Sequence, residues 1–299
     1  MPYKHSGMEL FHSSKAGHKL NGVLNHLGSM LAATHRLESI FASIRHRTYD
    51  GKNSFTVHDY YGFPEREETL DETLNLFASY AEQKVISKFS ADIKNPLRLT
   101  DCWMDDPIGS GGMDIFKENT QLTQAQKKDL KSVFAPFDTV VFPGDVDIRL
   151  SQKSINAIIK EGRANAIFKR EFRKREERCL AIGENFNSAA SHEAVWIDLT
   201  LKLRRWTLSN NFDAFVYENH SEGYGEDSYV TLNDRQVSDV LESHRFNKHK
   251  YLQTVGPAFP DYLKDIWEKS KIPSEQPRKQ TDTFWAGFSP LEFWEPFTP

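Results

Sequence analysis

The stretch FDAFVYENHSEGYGEDSYVTLNDRQV, Phe212 to Val237, constrains the fold of this chain more than any other. Two strand-like runs, Ala214 to Tyr217 and Ser228 to Leu232, flank a polar loop that contains glycine, and this pattern predicts a β-hairpin. Glu222, Glu226 and Asp227 are expected in its loop.

Periodicity places further elements on either side. Met8 to Phe11 predicts a strand that gives way to a loop at His12. Leu20, Val23, Leu24 and Leu27 fall at helical spacing and stop at Gly28, a suitable residue to follow a helix. Ser29 to Thr34 reads as a second strand, after which Leu37, Ile40, Phe41 and Ile44 repeat as one helix face. Arg47 to Pro64, polar and aromatic with scattered glycine, reads as an irregular excursion. A helix is expected over Thr69 to Ser79, a strand over Val85 to Ile93, and a break at Asn95-Pro96. A glycine cluster, GSGG at Gly109 to Gly112, precedes a helix near Gln124 to Phe134. One long helix is expected from Ser151, a capping residue, to about Leu180, and another over His192 to Leu208. After about Ser243 the periodicity weakens, and the chain reads as a C-terminal extension.

With 299 residues, 38% of them hydrophobic, the chain can bury a substantial core, which excludes a disordered tail. It has no run of about 18 apolar residues, and MPYKHSGMEL lacks the apolar segment of a secretory signal. A soluble, cytoplasmic protein without membrane contact is therefore expected. Cys102 and Cys179 form no CxxC, and the eleven histidines are scattered, so neither a disulfide framework nor a metal is expected. A net charge of -4 argues against capture of nucleic acid by the whole surface.

Three separated segments together resemble the ADP-ribosyltransferase superfamily, in its diphtheria-toxin and poly(ADP-ribose) polymerase branch and its phage- and toxin-associated members. Leu10-Phe11-His12-Ser13-Ser14 looks like the strand whose His and following hydroxyl hold the adenosine-side ribose of NAD. MLAATHRLESIF, Met30 to Phe41, resembles the strand and helix whose aromatic residue stacks on nicotinamide, with Phe41 where Tyr is usual. The hairpin resembles the family's aromatic-Asp-Gly strand, acidic loop and Ser-Tyr strand that closes on a Gln-hydrophobic pair, with Ala214 in place of the strand glycine. KNPLRLTD, Lys94 to Asp101, looks like a linking strand of the phage-associated members. The resemblance spans Met8 to about Val240 in islands, with an unmatched region from about 102 to 190.

The resemblance implies an α+β fold built on a split, strongly bent β-sheet, with residues 1–245 as the domain, a helical insertion at about 102–208, and residues 246–299 packed on it. It implies transfer of ADP-ribose from NAD to a protein or single-stranded nucleic acid, with nicotinamide released and no metal. A toxin or effector role with a neutralising antitoxin partner belongs to the same expectation. His12, Ser13, Ser14, Thr34, Phe41, Tyr217 and Ser228 would line the NAD site. Glu222 matches the Asn-x-x-Glu-Gly pattern and would be the catalytic carboxylate; in a polymerase-like alignment the Glu falls on Ser228, with Glu226 two residues earlier. The chemistry asks for little else. Breaking the nicotinamide–ribose bond leaves positive charge on the sugar, as in glycoside cleavage, and a fixed carboxylate stabilises it. The same carboxylate can serve as general base toward the acceptor.

Each of these residues also has an ordinary structural role, as a satisfied histidine, a core ring or a solvated loop carboxylate, so a catalytically silent binding module is one rival. A second is a nucleotidyltransferase, in which Gly109-Ser110 and Asp145-Val146-Asp147 would bind magnesium and nucleotide phosphates. GSGG lacks the Lys-Ser/Thr of a P-loop. KEGRANAIFKREFRKREER, Lys160 to Arg178, places eight basic and four acidic residues on a helix, which suits either phosphate contact or a solvated face of i to i+4 ion pairs.

Overall fold

A computed structural model describes residues 7–15, 20, 24–59, 62–99, 119–134, 150–181, 186–220, 222–270 and 284–297. Strand β1 (Met8–Lys15) outruns the sequence expectation, because all eight residues pair antiparallel with β6 (Lys84–Ala91), from Met8 opposite Ala91 to Lys15 opposite Lys84. His12, Ser13 and Ser14 thus sit in a strand, not a loop: a full set of backbone partners outweighs the weak strand preference of the serines.

The segment after it departs further from the periodicity. No helix covers the described residues between Leu20 and Leu27; Asn25–Leu27 form a short strand, β2. The strand expected over Ser29 to Thr34 is instead the start of helix α1 (Met30–Ile44). Ser29 decides this, since its side chain accepts from the Ala32 N–H at 3.1 Å and caps the helix. The Met-Leu-Ala-Ala that follows consists of strong helix formers, and Ala33, Leu37 and Phe41 line the buried face at four-residue spacing.

Arg47 to Pro64 is also regular. It holds β3 (Arg47–Tyr49) and β4 (Ser54–His58), which with β5 (Pro64–Thr69) make a three-stranded antiparallel sheet. Its tight turn is built by Asp50, whose carboxylate accepts the N–H groups of Lys52 and Ser54, and by Gly51 at φ +79°. Helix α2 (Leu70–Glu82) follows, opened by a capping box between Thr69 and Glu72. Strand β7 (Pro96–Leu99) and helix α3 (Gln124–Phe134) agree with expectation. The single helix expected from Ser151 is two, α4 (Gln152–Gly162) and α5 (Ala166–Ala181), because Asn165 accepts the N–H groups of Ile167 and Phe168 and starts a new helix. The remaining elements are α6 (Phe186–Ser209), β8 (Ala214–Asn219), β9 (Glu226–Thr231), β10 (Glu242–Phe246), α7 (Lys248–Ser270) and β11 (Trp294–Phe297).

Two four-stranded sheets organise the molecule, in the orders β1-β6-β10-β11 and β2-β9-β8-β7. All their pairings are antiparallel except β7 with β8. The sheets meet at one corner, where Phe11 and Gly28 exchange backbone hydrogen bonds of 2.8 and 3.0 Å. A small core of Leu10, Leu27, Phe89 and Ala91 lies between them, with Tyr229 packed against it. The first sheet's other face carries α1, α2 and α7 around Phe77, Ile86, Tyr251 and Trp285. Phe215 and Val230 of the second sheet pack on α3, α4 and α6 through Leu130, Ile155, Leu199 and Trp206. The described residues thus form a mixed α/β fold with seven α-helices and mainly antiparallel sheets, in keeping with the α+β class. The boundary expected at 245 falls inside β10, and residues beyond it supply α7, the edge strand β11 and much of the aromatic core.

Candidate functional site

The tip of the β8–β9 hairpin is organised by one buried side chain. Asn219 Oδ1 accepts the Glu222 N–H at 2.8 Å, its Nδ2 donates to Ser228 Oγ at 3.1 Å, and its carbonyl accepts the N–H groups of Gly223 and Gly225. A Cβ at Gly223 would lie 3.1 Å from that carbonyl oxygen, and Tyr224 and Gly225 take left-handed conformations at φ +53° and +94°. Glycine therefore suits positions 223 and 225, whereas Tyr224 holds a left-handed conformation that a bulky residue rarely adopts.

This geometry separates the three acids. Glu226 and Asp227 are not in the loop but begin β9, opposite Asn219 and Glu218. Glu226 is exposed. Asp227 is held by Arg98 of β7 through two hydrogen bonds of 2.9 and 2.7 Å, and beside it burial, and secondarily the Asp227 charge, push the Tyr229 hydroxyl up. Glu222 instead turns onto α1, where its Oε1 accepts from the Arg36 guanidinium at 3.1 Å with the side chain 16% exposed. The preceding residue, His35, meets the Tyr224 ring edge-on at 4.9 Å. Consecutive residues of α1 thus hold positions 222 and 224 of the tip. Beneath them His35 Nδ1 lies 3.7 Å from the buried Glu38, which accepts the Phe284 N–H at 3.0 Å and links the helix to the C-terminal segment.

His12 lies across β2 from the hairpin. Its Nδ1 is 2.8 Å from the His26 carbonyl, which can only accept, so Nδ1 carries the proton and Nε2 is the acceptor of the neutral ring. Leu10, His12 and Ser14 alternate onto the face turned toward the second sheet, whereas Ser13 shares the opposite face with Phe11. Ser14 Oγ donates to the Lys15 carbonyl at 3.2 Å. Gly28 ends β2 against Ser228, and a Cβ there would stand 2.9 Å from Ser228 Oγ. β2 therefore lies between the imidazole and the acidic hairpin.

The other residues singled out in the sequence lie deeper. Thr34 is fully buried and donates to the Met30 carbonyl within α1. Phe41 is a core residue, enclosed by Phe77, Tyr80 and Phe284 at centroid distances of 5.3 to 5.6 Å with the Arg47 guanidinium over its ring at 4.6 Å. Tyr217, opposite Ser228, is half-buried against the helical layer of the second sheet. Asn219, Arg36 and Tyr224 were not anticipated. Asn219 heads the Asn-x-x-Glu-Gly pattern and had a local signal; Arg36, 186 positions from its partner, had none.

Four of the eight basic residues of the run pair with acids in α5 or α6: Arg170 and Lys174 with Glu171, Arg173 with Glu177, and Arg175 with Glu193 of α6. GSGG, Asp145 and Asp147 lie outside the described residues. Among the described residues no group of three or more His, Cys, Asp or Glu could hold a metal, and no helix is long and apolar enough to cross a membrane. Searches against protein-family models, curated proteins and solved structures gave no match.

Proposed function

We propose that this chain transfers ADP-ribose from NAD to a macromolecular acceptor, protein or nucleic acid, and releases nicotinamide. The observation that carries the reading is the docked hairpin tip. Asn219 fixes the backbone at Glu222 and bonds Ser228, against which β2 ends, Arg36 fixes the Glu222 carboxylate, and the other edge of β2 meets the strand of His12. Two sheets that touch at one corner also suit the split, bent sheet of the ADP-ribosyltransferase superfamily.

In this reading His12 Nε2 accepts from a ribose hydroxyl, and Ser14, on the same strand face, supports it. The C–N bond breaks with its electron pair passing to the pyridinium ring, so nicotinamide leaves neutral and needs no proton. Glu222 stabilises the positive charge that develops on the ribose, the acceptor's lone pair closes the new bond, and its proton passes to Glu222. Arg36 is a positioning residue that holds the carboxylate. Because the Phe41 ring is enclosed, the aromatic surface over nicotinamide falls to Tyr224, two residues from Glu222.

The test is transfer of label from NAD carrying a tagged adenine to acceptors in a cell extract. Glu222→Gln should lower transfer by about 100-fold or more, while Glu226→Gln, at an exposed strand start, should change it little. Loss in Glu226→Gln with Glu222→Gln unaffected would move the catalytic role to Glu226.

A further inference from the structure

The three-stranded sheet, away from the NAD reading and independent of it, carries a second arrangement. His46 and His58 are 12 positions apart in sequence, but the pairing of Arg47 with Val57 sets them opposite each other, and the His58 N–H donates to the His46 carbonyl at 2.9 Å. Their rings lie 5.4 Å apart between centroids on the exposed side of the sheet. His58 Nδ1 is 3.1 Å from the Gly62 carbonyl, which only accepts, so Nδ1 bears the proton and Nε2 presents its lone pair. That Nε2 is 3.1 Å from Thr48 Oγ1, and His46 Nε2 is 3.4 Å from the same oxygen.

We infer that His46 and His58 form a binding site for a divalent transition-metal ion of borderline softness, such as Zn²⁺, on the outer face of this sheet. Neutral imidazole nitrogens are preferred ligands for such ions, and an Nδ1–H held by a backbone carbonyl is the second-shell contact that fixes tautomer and ring orientation in metal-binding histidines. The two Nε2 atoms already converge on one point, now taken by the Thr48 hydroxyl. Metal–nitrogen bonds of about 2.0–2.1 Å are shorter than these hydrogen bonds, so binding displaces the hydroxyl and draws each ring inward by about 1 Å. No third His, Cys, Asp or Glu among the described residues completes the set, so water fills the remaining positions. The ion ties the residue that leads into β3 to the end of β4, and its binding stabilises the folded hairpin by mass action.

Calorimetric titration of the full chain with zinc chloride tests this, with His46→Ala, His58→Ala and Thr48→Val alongside. The wild type should show a saturable site that either histidine variant removes or weakens at least about tenfold. Thr48→Val, which removes only the competing hydroxyl, should keep it. His46, exposed just before β3, and His58, half-buried at the end of β4, lie outside the core, so circular dichroism of each variant should match the wild type. Zinc binding of unchanged affinity and stoichiometry in His46→Ala or His58→Ala, no saturable site in the wild type, or loss of the site in Thr48→Val would overturn the assignment.

Discussion

A carboxylate acquires a role through what surrounds it, and the acids of this chain show how differently that works. Glu222 is held by one guanidinium at the hairpin tip, whereas Glu68 is buried between two, with Arg47 Nε at 2.8 Å and an Arg66 nitrogen at 2.6 Å. Burial acts to raise the Glu68 pKa, but the hydrogen bonds and charges of Arg47 and Arg66 outweigh it and hold the carboxyl below the usual carboxylate range. The folded state then binds fewer protons than the unfolded state. The stability this adds is complete above the unfolded value of about 4.3 and is lost as pH falls through the lower folded value. Denaturation from pH 7 to pH 3 should therefore show the advantage of wild type over Glu68→Gln shrinking in acid; a pH-independent difference would contradict it. Arg47→Ala, which leaves the buried carboxylate short of a partner, should cost about 3 kcal/mol. At this scale the sequence revealed which residue types were chemically apt but not their neighbours. Glu222, Glu226 and Asp227 look alike in a string of letters, and only Arg36 and Arg98, each more than a hundred positions away, distinguish them.

Elements that carry their own stop and start signals were legible, and those set by partners were not. The capped helix at Thr69, the break at Asn95-Pro96 and the hairpin strands follow from local pattern. β2 and β3, three residues each, exist because a neighbouring strand pairs with them, and hydrophobic spacing over Leu20 to Leu27 imitates a helix that the described residues do not form. The join between β2 and α1 is the tightest point of the site. An added methyl at Gly28 would meet Ser228 Oγ at 2.9 Å and Ala32 Cβ at 3.2 Å, and Ser228 is itself fixed by Asn219. Gly28→Ala should destabilise the protein by about 1–3 kcal/mol. In a Ser228→Ala background the same change should cost less than half as much, since the obstructing oxygen is gone. Equal costs in both backgrounds, measured by urea unfolding, would show that Ser228 is not what Gly28 accommodates.

For the whole molecule, the α+β class was legible because helical and strand periods are interspersed without an extended βαβ alternation. The place of the C-terminal segment was not, because its aromatic residues show weak periodicity and take their meaning from the sheet they complete. Tyr251, Phe259, Trp285 and Phe293 sit in the same core as Phe77 and Ile86, and β11 pairs with β10. Losing even a few such rings, at about 3–5 kcal/mol each, is comparable to the whole of the roughly 5–15 kcal/mol by which domains are ordinarily stable. A chain ending at residue 245 should therefore show no cooperative thermal transition; one that melts like the full chain would make residues 246–299 dispensable.

On the proposed function, NAD would sit where β1, the end of β2 and the hairpin tip come together. Calorimetric titration of NAD into Glu222→Gln, a change that keeps the side chain's size and removes only the charge on which the proposed turnover depends, tests this placement. Saturable binding of one NAD per chain is expected, weakened about tenfold or more when His12→Ala is added, the loss of about 1.4 kcal/mol or more that follows removal of a hydrogen bond to a clamped hydroxyl. Absence of saturable binding, or affinity indifferent to His12, would contradict it.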